Sequence, residues 1–119
     1  GDNTAVGISI FHNLCATQIP FKIDILERHP HGSQSFIPLQ QQKFIIIVAL
    51  PLDYSQPDEQ KIYAFLSNGK QGVTYHQGAW HHPLITLEAK SDFLVVDRIG
   101  GGQNCDVHPL VVSRWVVES

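Results

Sequence analysis

Histidines cluster in one short stretch of the chain, and this is where chemistry is most readily placed. Residues 72–83, with the sequence GVTYHQGAWHHP, hold three of the seven histidines and one of the two tryptophans. Gly78 permits a backbone turn that a side chain would oppose, and Pro83 favours an extended conformation at His82. These neighbours restrict where His81 can point. Because imidazole titrates near neutral pH and binds metals, the stretch predicts a fixed His81 for proton transfer or metal binding.

A second polar pair closes an alternating segment earlier in the chain. If residues 21–29 form a strand, alternate side chains share one face, and that face changes from apolar to polar along its length. The members of this face are Phe21, Ile23, Ile25, Glu27 and His29. We therefore expect Glu27 and His29 to point together into a polar pocket, with Gln34 following from the next strand. Alternatively, Glu27 and His29 hydrogen-bond only to each other.

Two further groups are candidates for binding a substrate. Tyr75 and His76 lie in the histidine-rich stretch and are predicted to position a substrate beside His81. Asp97 and Arg98 are adjacent near the end of a predicted strand, so alternation turns one of them inward. The pair is either a structural salt bridge, or it places Arg98 to receive a substrate carboxylate in bidentate fashion.

The chain is predicted to be all-β, because short alternating or β-branched runs recur with turn residues between them and no amphipathic helix emerges. In residues 5–11, Val6, Ile8 and Ile10 alternate as the apolar face of a half-buried strand. Residues 43–50 are apolar on both faces, which predicts a central strand or one covered partly by a second subunit. The final segment, 107–117, is predicted to be extended or partly helical. Further strands are predicted over residues 34–39, 61–66, 83–87 and 92–98.

Two connections are predicted from turn residues. Residues 51–60 contain two prolines, two aspartates and a serine, which favours a surface loop. Residues 67–70 contain Asn-Gly, which suits the type I′ turn of a β-hairpin.

Composition limits the classes of function. At 119 residues, with 43% hydrophobic residues, the chain is long enough for one domain with a core. A formal net charge of −3 and no run of Lys or Arg argue against a nucleic-acid partner. No apolar run approaches the roughly 20 residues of a membrane-spanning helix. Cys15 and Cys105 fit no metal-ligand spacing; we expect reduced thiols in a cytoplasmic protein, although a disulfide remains open from sequence.

The histidine-rich stretch also resembles known motifs. His76-Gln-Gly78-Ala-Trp-His81 is similar to the second motif of cupin barrels, which usually reads Pro-x-Gly-x-x-His. More narrowly, the chain resembles ureidoglycolate lyases over nearly its whole length. The shared segments include residues 26–30 (LERHP), 34–38 (QSFIP), 64–69 (AFLSNG), 75–84 (YHQGAWHHPL), 92–98 (DFLVVDR) and 104–106 (NCD).

The resemblance implies a single cupin-like, jelly-roll type β-barrel over residues 1–119. Members of that family normally carry an additional N-terminal segment, which we expect this sequence to lack. It also implies a homodimer, cleavage of ureidoglycolate to glyoxylate and urea in allantoin degradation, and a preference for nickel in some members. Placed on the cupin motifs, His29, Gln34 and His81 are the metal ligands if a divalent metal binds, with Glu27 beside them.

The implied reaction suits these residues. Ureidoglycolate bears a hydroxyl, a carboxylate and a ureido nitrogen on one carbon, so its cleavage needs a base for the hydroxyl proton and an acid for the departing nitrogen. We expect His81 and His29 to transfer protons, Glu27 to assist, and Gln34, Tyr75, His76 and Arg98 to bind the substrate. The alternatives are another metal-dependent cupin enzyme, or a non-catalytic cupin that binds a small carboxylic acid.

Overall fold

Ten β-strands make up the described part of the chain, residues 5–100 and 104–117 of a computed structural model. In chain order they are β1 (Ala5–Asn13), β2 (Phe21–Arg28), β3 (Gln34–Pro38), β4 (Phe44–Asp53), β5 (Gln56–Leu66), β6 (Val73–Tyr75), β7 (Trp80–His81), β8 (Ile85–Thr86), β9 (Ser91–Ile99) and β10 (Asp106–Val116). No helix occurs among these residues, which confirms the all-β prediction, and so none of them forms an apolar membrane-spanning helix. The last segment is a strand rather than a helix.

The strands form two antiparallel sheets that curl into a cupin-like half-barrel. The first sheet has the order β1-β9-β3-β6, and the second has the order β10-β2-β7-β4-β5, with β8 also paired to β4. The short strands β6 and β7 belong to different sheets, although only four residues separate them. The histidine-rich stretch therefore crosses from one sheet to the other.

Residues 44–49 of strand β4 are buried or half-buried on both faces by the chain itself, whereas Leu50 and Leu52 are exposed. Phe44 packs against Phe93 edge to face at 5.2 Å between ring centroids, in a cluster between the two sheets. Ile45 and Ile47 point the other way, into a second cluster held within the curl of the second sheet. Burying each such side chain contributes about 1.5–3 kcal/mol. Burial of β4 therefore requires no second subunit.

The apolar face predicted to be buried on β1 lies instead on the surface. Val6 is 74% exposed and Ile8 is 70% exposed. Ser9, Ile10 and Phe11 line a cavity between the sheets, and Phe11 is still 42% exposed. Alternation shows which side chains share a face, but it does not show whether other parts of the fold cover that face.

Residues 51–60 are a hairpin rather than the predicted surface loop. β4 and β5 continue almost to the turn, where the Asp53 carboxylate accepts hydrogen bonds from the backbone N–H groups of Ser55 and Gln56 at 2.8 and 3.1 Å. Pro51 and Pro57 lie opposite each other at irregular register positions. Proline lacks a backbone donor, and it is tolerated in a sheet at such positions.

The predicted hairpin turn at residues 67–70 is also wrong. β5 pairs with β4 in one sheet and β6 pairs with β3 in the other, so the segment between them crosses the structure. Gly69 has a φ of +83°, and a Cβ there would collide with the backbone carbonyl of Gln41. The glycine is required for this close crossing rather than for a type I′ turn.

Candidate functional site

A cavity of about 350 Å³ lies between the two sheets. Its polar lining residues are Ser9, Glu27, His29, Gln34, Tyr75 and His81. They come from β1, β2 and the residue following it, β3, β6 and β7, so both sheets contribute. The remainder of the lining is mostly apolar, which restricts water and strengthens electrostatic interactions inside.

Strand pairing brings Glu27 and His81 together. β2 lies beside β7, and Glu27 is the direct register partner of His81. The His81 Nε2 lies 3.8 Å from the Glu27 Oε1, and His81 is 1% exposed. The gap is too long for a strong hydrogen bond, so both groups remain available to a bound molecule.

The alternation predicted for β2 holds only near this end of the strand. Ile23 and Leu26 are three residues apart, yet both are buried in the cluster inside the second sheet. The change of face lies where the register between β2 and β10 shifts. Such an irregularity redirects side chains, and here it leaves Glu27 facing the cavity while Ile23 does not.

His29 reaches the same point from the end of β2. Its Nδ1 lies 2.8 Å from the backbone carbonyl of Asn104, and its own carbonyl accepts a hydrogen bond from Gly78 N–H at 3.0 Å. The His29 and His81 rings are 5.2 Å apart between centroids. The β2 end and the glycine turn before β7 are therefore joined directly.

Backbone carbonyls orient both imidazoles. His81 Nδ1 lies 3.0 Å from the Ala79 carbonyl, as His29 Nδ1 does from Asn104. A carbonyl only accepts, so each Nδ1 carries the proton and each Nε2 presents a lone pair. The buried His29 Nε2 has no hydrogen-bond partner among the described residues. Two imidazole lone pairs thus face a shared space.

Glu27, His29 and His81 also fit a metal ion. Each offers one ligand atom, and these atoms lie within 4.8 Å of one another. Histidine ligands usually donate their second ring N–H to a carbonyl or carboxylate, as both histidines do here. One carboxylate with two imidazoles is a donor set for Ni, Mn, Fe or Zn. The triad differs from the predicted set in that Glu27 joins the two histidines; Gln34 lines the same cavity.

Burial sets the protonation of the site. It lowers the pKa of His81 below its ordinary value, with the neighbouring His29 adding to the effect. Burial and the charge of Glu27 raise the pKa of Tyr75. At neutral pH His81 is therefore a neutral base, and Tyr75 keeps its phenolic proton.

Tyr75 supplies a hydrogen-bond donor to the cavity. Its ring stacks on His81 with 3.9 Å between centroids and 10° between planes. The Tyr75 hydroxyl is buried and has no partner among the described residues. A buried hydroxyl without a partner costs free energy, so a polar ligand that accepts its hydrogen bond gains affinity.

Comparisons with known proteins identify the family of the chain. A family model described as ureidoglycolate lyase matches residues 1–118. The chain belongs to the ureidoglycolate lyase family. It is 51% identical over 116 residues to a ureidoglycolate lyase of Pseudomonas savastanoi pv. phaseolicola, covering 98% of this chain and 66% of that protein. It is 54% identical over 101 residues to the protein of that name from Pseudomonas fluorescens, covering 85% of this chain and 59% of that protein.

A ureidoglycolate lyase of Pseudomonas aeruginosa strain PAO1 is 50% identical over 107 residues, covering 90% of this chain and 60% of that protein. The chain therefore spans slightly less than two thirds of the length of these three relatives. The resemblance recognised from the sequence motifs is confirmed at the level of the family.

Two predicted binding residues of this family member lie outside the cavity. His76 is exposed, and its backbone carbonyl accepts the hydrogen bond of Ala79 N–H in the turn before β7. Arg98 lines a separate cavity of about 540 Å³ with His31 and Gln77. Since Val95 lines the site and strand residues alternate, Arg98 faces away from it.

Other side chains near the site were not predicted as part of it. Ser9 lines the cavity from β1, and its only sequence signal is a polar residue in an apolar alternating run. Cys105 donates its thiol hydrogen to Glu27 Oε2 at 3.8 Å. Burial and the nearby Glu27 raise the pKa of the Cys105 thiol, which keeps it protonated. A thiol in that state is a poor nucleophile.

Proposed function

We propose that this protein cleaves ureidoglycolate to glyoxylate and urea, a step of allantoin degradation in purine catabolism. The observation that supports this most directly is the convergence of Glu27 and two imidazole Nε2 atoms at one point of the cavity. The family and the names of the relatives support the same substrate. A single carbon bearing a hydroxyl, a carboxylate and a ureido group is small enough for a cavity of about 350 Å³.

In the proposed reaction, His81 takes the proton of the substrate hydroxyl through its neutral Nε2. The electron pair left on oxygen forms the aldehyde of glyoxylate as the carbon–nitrogen bond breaks. The departing ureido nitrogen receives the same proton back from His81, either directly or passed on through the Nε2 of His29, and leaves as urea. General acid–base catalysis of this type contributes roughly 10²–10⁴-fold to a rate.

The remaining cavity residues bind and orient the substrate in this proposal. The Tyr75 hydroxyl and the Gln34 amide are donors for the substrate carboxylate, a role predicted for Arg98 but now assigned to groups that face the cavity. Glu27 accepts hydrogen bonds from the ureido N–H groups or holds His81 in place. A divalent ion such as nickel could instead be held by Glu27, His29 and His81, and it would then supply a Lewis acid that polarises the forming carbonyl; the His81 Nε2 would in that case bind the ion rather than take the hydroxyl proton.

The test is an assay of both products from racemic ureidoglycolate. Glyoxylate and urea should appear in equal amounts, faster than in the presence of a His81→Asn variant at the same concentration. Assays with added nickel and after chelation separate a metal-dependent reaction from a metal-free one. Binding of glyoxylate without product release would instead favour a non-catalytic binding protein. Ammonia in place of urea would reveal a different cleavage.

We further propose that the protein is a homodimer that assembles through β1. Among the described strands β1 pairs only with β9, so its other edge is open over nine residues that carry no Asp, Glu, Lys or Arg. The exposed Val6 and Ile8 extend this edge as an apolar surface. Long apolar edges are normally covered by another strand.

The test is a measurement of the molecular mass in solution. The wild type should have the mass of a dimer, and the Ile8→Glu variant should have that of a monomer. A monomeric wild type would contradict the proposal.

A cytoplasmic location is proposed on the chemistry of the cysteines. Cys15 is exposed, and neither it nor Cys105 forms a disulfide. Exposed free thiols persist in a reducing compartment. Fractionation of cells that express the protein should recover it with cytoplasmic markers, and recovery with extracytoplasmic markers would contradict the proposal.

A further inference from the structure

A second cavity, of about 320 Å³, lies on the opposite face of β4 from the candidate site. Ile23, Ile47, Ile62 and Ala64 form its apolar surface, and Trp115 lies at its side. Ile23 and Ile47 belong to the cluster inside the second sheet, whereas the candidate site adjoins the cluster between the sheets. The two cavities are therefore separated by the backbone of β4.

The polar group that distinguishes this cavity is the guanidinium of Arg114, on β10. One terminal nitrogen donates to the backbone carbonyl of Glu59 at 2.7 Å. The Nε–H is buried and has no hydrogen-bond partner among residues 5–100 and 104–117. Within residues 5–100 and 104–117, no ion pair joins a carboxylate to Arg114. A buried donor without an acceptor costs about 1–3 kcal/mol, and more when it is charged.

The nearest acidic residue does not supply the missing acceptor. Glu59 Oε1 accepts the backbone N–H of Val111 at 2.9 Å, and Glu59 Oε2 lies 3.0 Å from His108 Nε2. Both oxygens are thus directed to β10 groups other than Arg114. Among the described residues, Arg114 is therefore left as a cation with an unsatisfied donor, at a cavity whose lining is apolar except for Arg114, Glu59 and Gln60.

We propose that this cavity is a second ligand site, which binds a small organic anion with an apolar body, such as a short-chain carboxylate. The ligand carboxylate accepts the Arg114 Nε hydrogen bond. The hydrocarbon part contacts Ile23, Ile47 and Ile62. Small-molecule sites commonly enclose about 300–1,000 Å³, so this cavity suits a short chain rather than a long one. The site is independent of the reaction proposed for the first cavity.

The experiment titrates the intact protein with hexanoate, followed by calorimetry and by tryptophan fluorescence, to which Trp115 at the cavity and the buried Trp80 both contribute. Saturable binding is expected, and hexan-1-ol, which lacks the charge, should bind at least about tenfold more weakly because a hydrogen bond to a charged group is lost. Arg114→Gln should weaken hexanoate binding by a similar factor. Lys61→Gln is the matched control: it removes one positive charge from an exposed position on β5, outside the cavity, and should leave binding unchanged.

A second variant keeps the test valid if Arg114→Gln is destabilised by the loss of its bond to Glu59. Ala64→Leu adds volume inside the cavity without removing a hydrogen bond, and it should weaken hexanoate more than acetate. Binding should also persist in His81→Asn, which alters only the first cavity. No saturable binding to the wild type, equal binding of the alcohol, or undiminished binding by both Arg114→Gln and Ala64→Leu would overturn the proposal.

Discussion

Among the residues that the structure describes, two pairs bring a glutamate close to a histidine, and they are built differently. At the junction of β5 and β10, Glu59 and His108 approach to 3.0 Å, and the other Glu59 oxygen accepts a backbone N–H. In the cavity between the sheets, Glu27 and His81 stay 3.8 Å apart. Glu59 and His108 therefore bond to each other, whereas Glu27 and His81 do not and both face the cavity.

The two pairs differ in which ring nitrogen of the histidine already has a hydrogen-bond partner. In the cavity, backbone carbonyls hold the Nδ1 atoms of His29 and His81, so the two Nε2 atoms are fixed but uncommitted. At the junction, the Nε2 of His108 is already engaged by Glu59. The same two residue types therefore stabilise the fold in one place and, in our proposal, perform chemistry in the other.

The largest expected effect is on turnover and concerns His81. His81→Asn keeps an amide N–H that can donate to Ala79 but removes the Nε2 lone pair, so turnover should fall by roughly 10²-fold or more. The product assay measures this, and urea denaturation checks that the fold is intact. His12→Asn, a change at an exposed histidine outside the cavity, is the control. A variant of His81 with near-normal turnover would remove it from the mechanism.

The second-largest expected effect is on nickel affinity, which should depend on the residues around Glu27 and His81 but not on Glu59 and His108. A nickel titration of the wild type should show one tight site, and His29→Asn should weaken it by more than the ~10–100-fold that loss of an outer-shell partner costs. His108→Asn should leave the nickel affinity unchanged, because His108 is bonded to Glu59 and is not one of the three candidate ligands. Equal losses in the two variants would place the metal elsewhere.

Glu59→Gln should lower the stability of the fold and leave turnover almost unchanged, the reverse of the effect expected for His81→Asn. Removing the charge weakens the bonds to His108 and Val111, so the free energy of unfolding should fall by about 1–3 kcal/mol. Turnover below the unfolding transition should stay within about twofold, since no reacting group is touched. Denaturant curves and the product assay on the same samples test both halves. A loss of turnover comparable with that of His81→Asn would erase the distinction between the two pairings.

The smallest effect is a pH dependence of stability in two separate ranges. Burial lowers the pKa of His81, so the unfolded chain binds the proton more readily, and stability should fall as pH drops below the ordinary imidazole value of about 6.5. Burial acts to raise the pKa of Glu59, but the hydrogen bonds from His108 and Val111 outweigh it. The pKa of Glu59 is therefore lowered. That contribution should be present above the ordinary carboxyl value of about 4.3 and be lost below it.

Two variants test which residue causes the loss of stability in each pH range. His81→Asn should reduce the loss between pH 7 and 5.5, leaving the part due to His82, whose pKa burial also lowers. Glu59→Gln should reduce the loss below pH 4.5. Midpoints of urea unfolding measured across pH provide the test, and an unchanged slope in both variants would contradict these assignments.

Local sequence was sufficient for the parts of the site that depend on neighbouring residues. Glu27 and His29 are two residues apart at a strand end, and their common direction follows from alternation. Gly78 and Pro83 mark the turn and the extended segment around His81. The motifs that contain these residues were also sufficient to recognise the family.

Pairing between distant strands was not accessible in the same way. Arg98 and Asp97 compete for one inward position, and the choice depends on where β9 lies between β1 and β3. Ser9 enters the site because this part of β1 lies at the cavity between the two sheets. The shift of register between β2 and β10 moves Ile23 off the face predicted for it.

The sequence by itself therefore determined an all-β chain, the family, and the two short segments that carry the acid and the imidazoles. The tertiary structure alone decided that these segments meet across β2 and β7, which backbone carbonyls orient the two histidines, and which face of β9 turns towards the cavity. The physical reason is that a period of two fixes which side chains point together, while burial is fixed by partners far away in the chain.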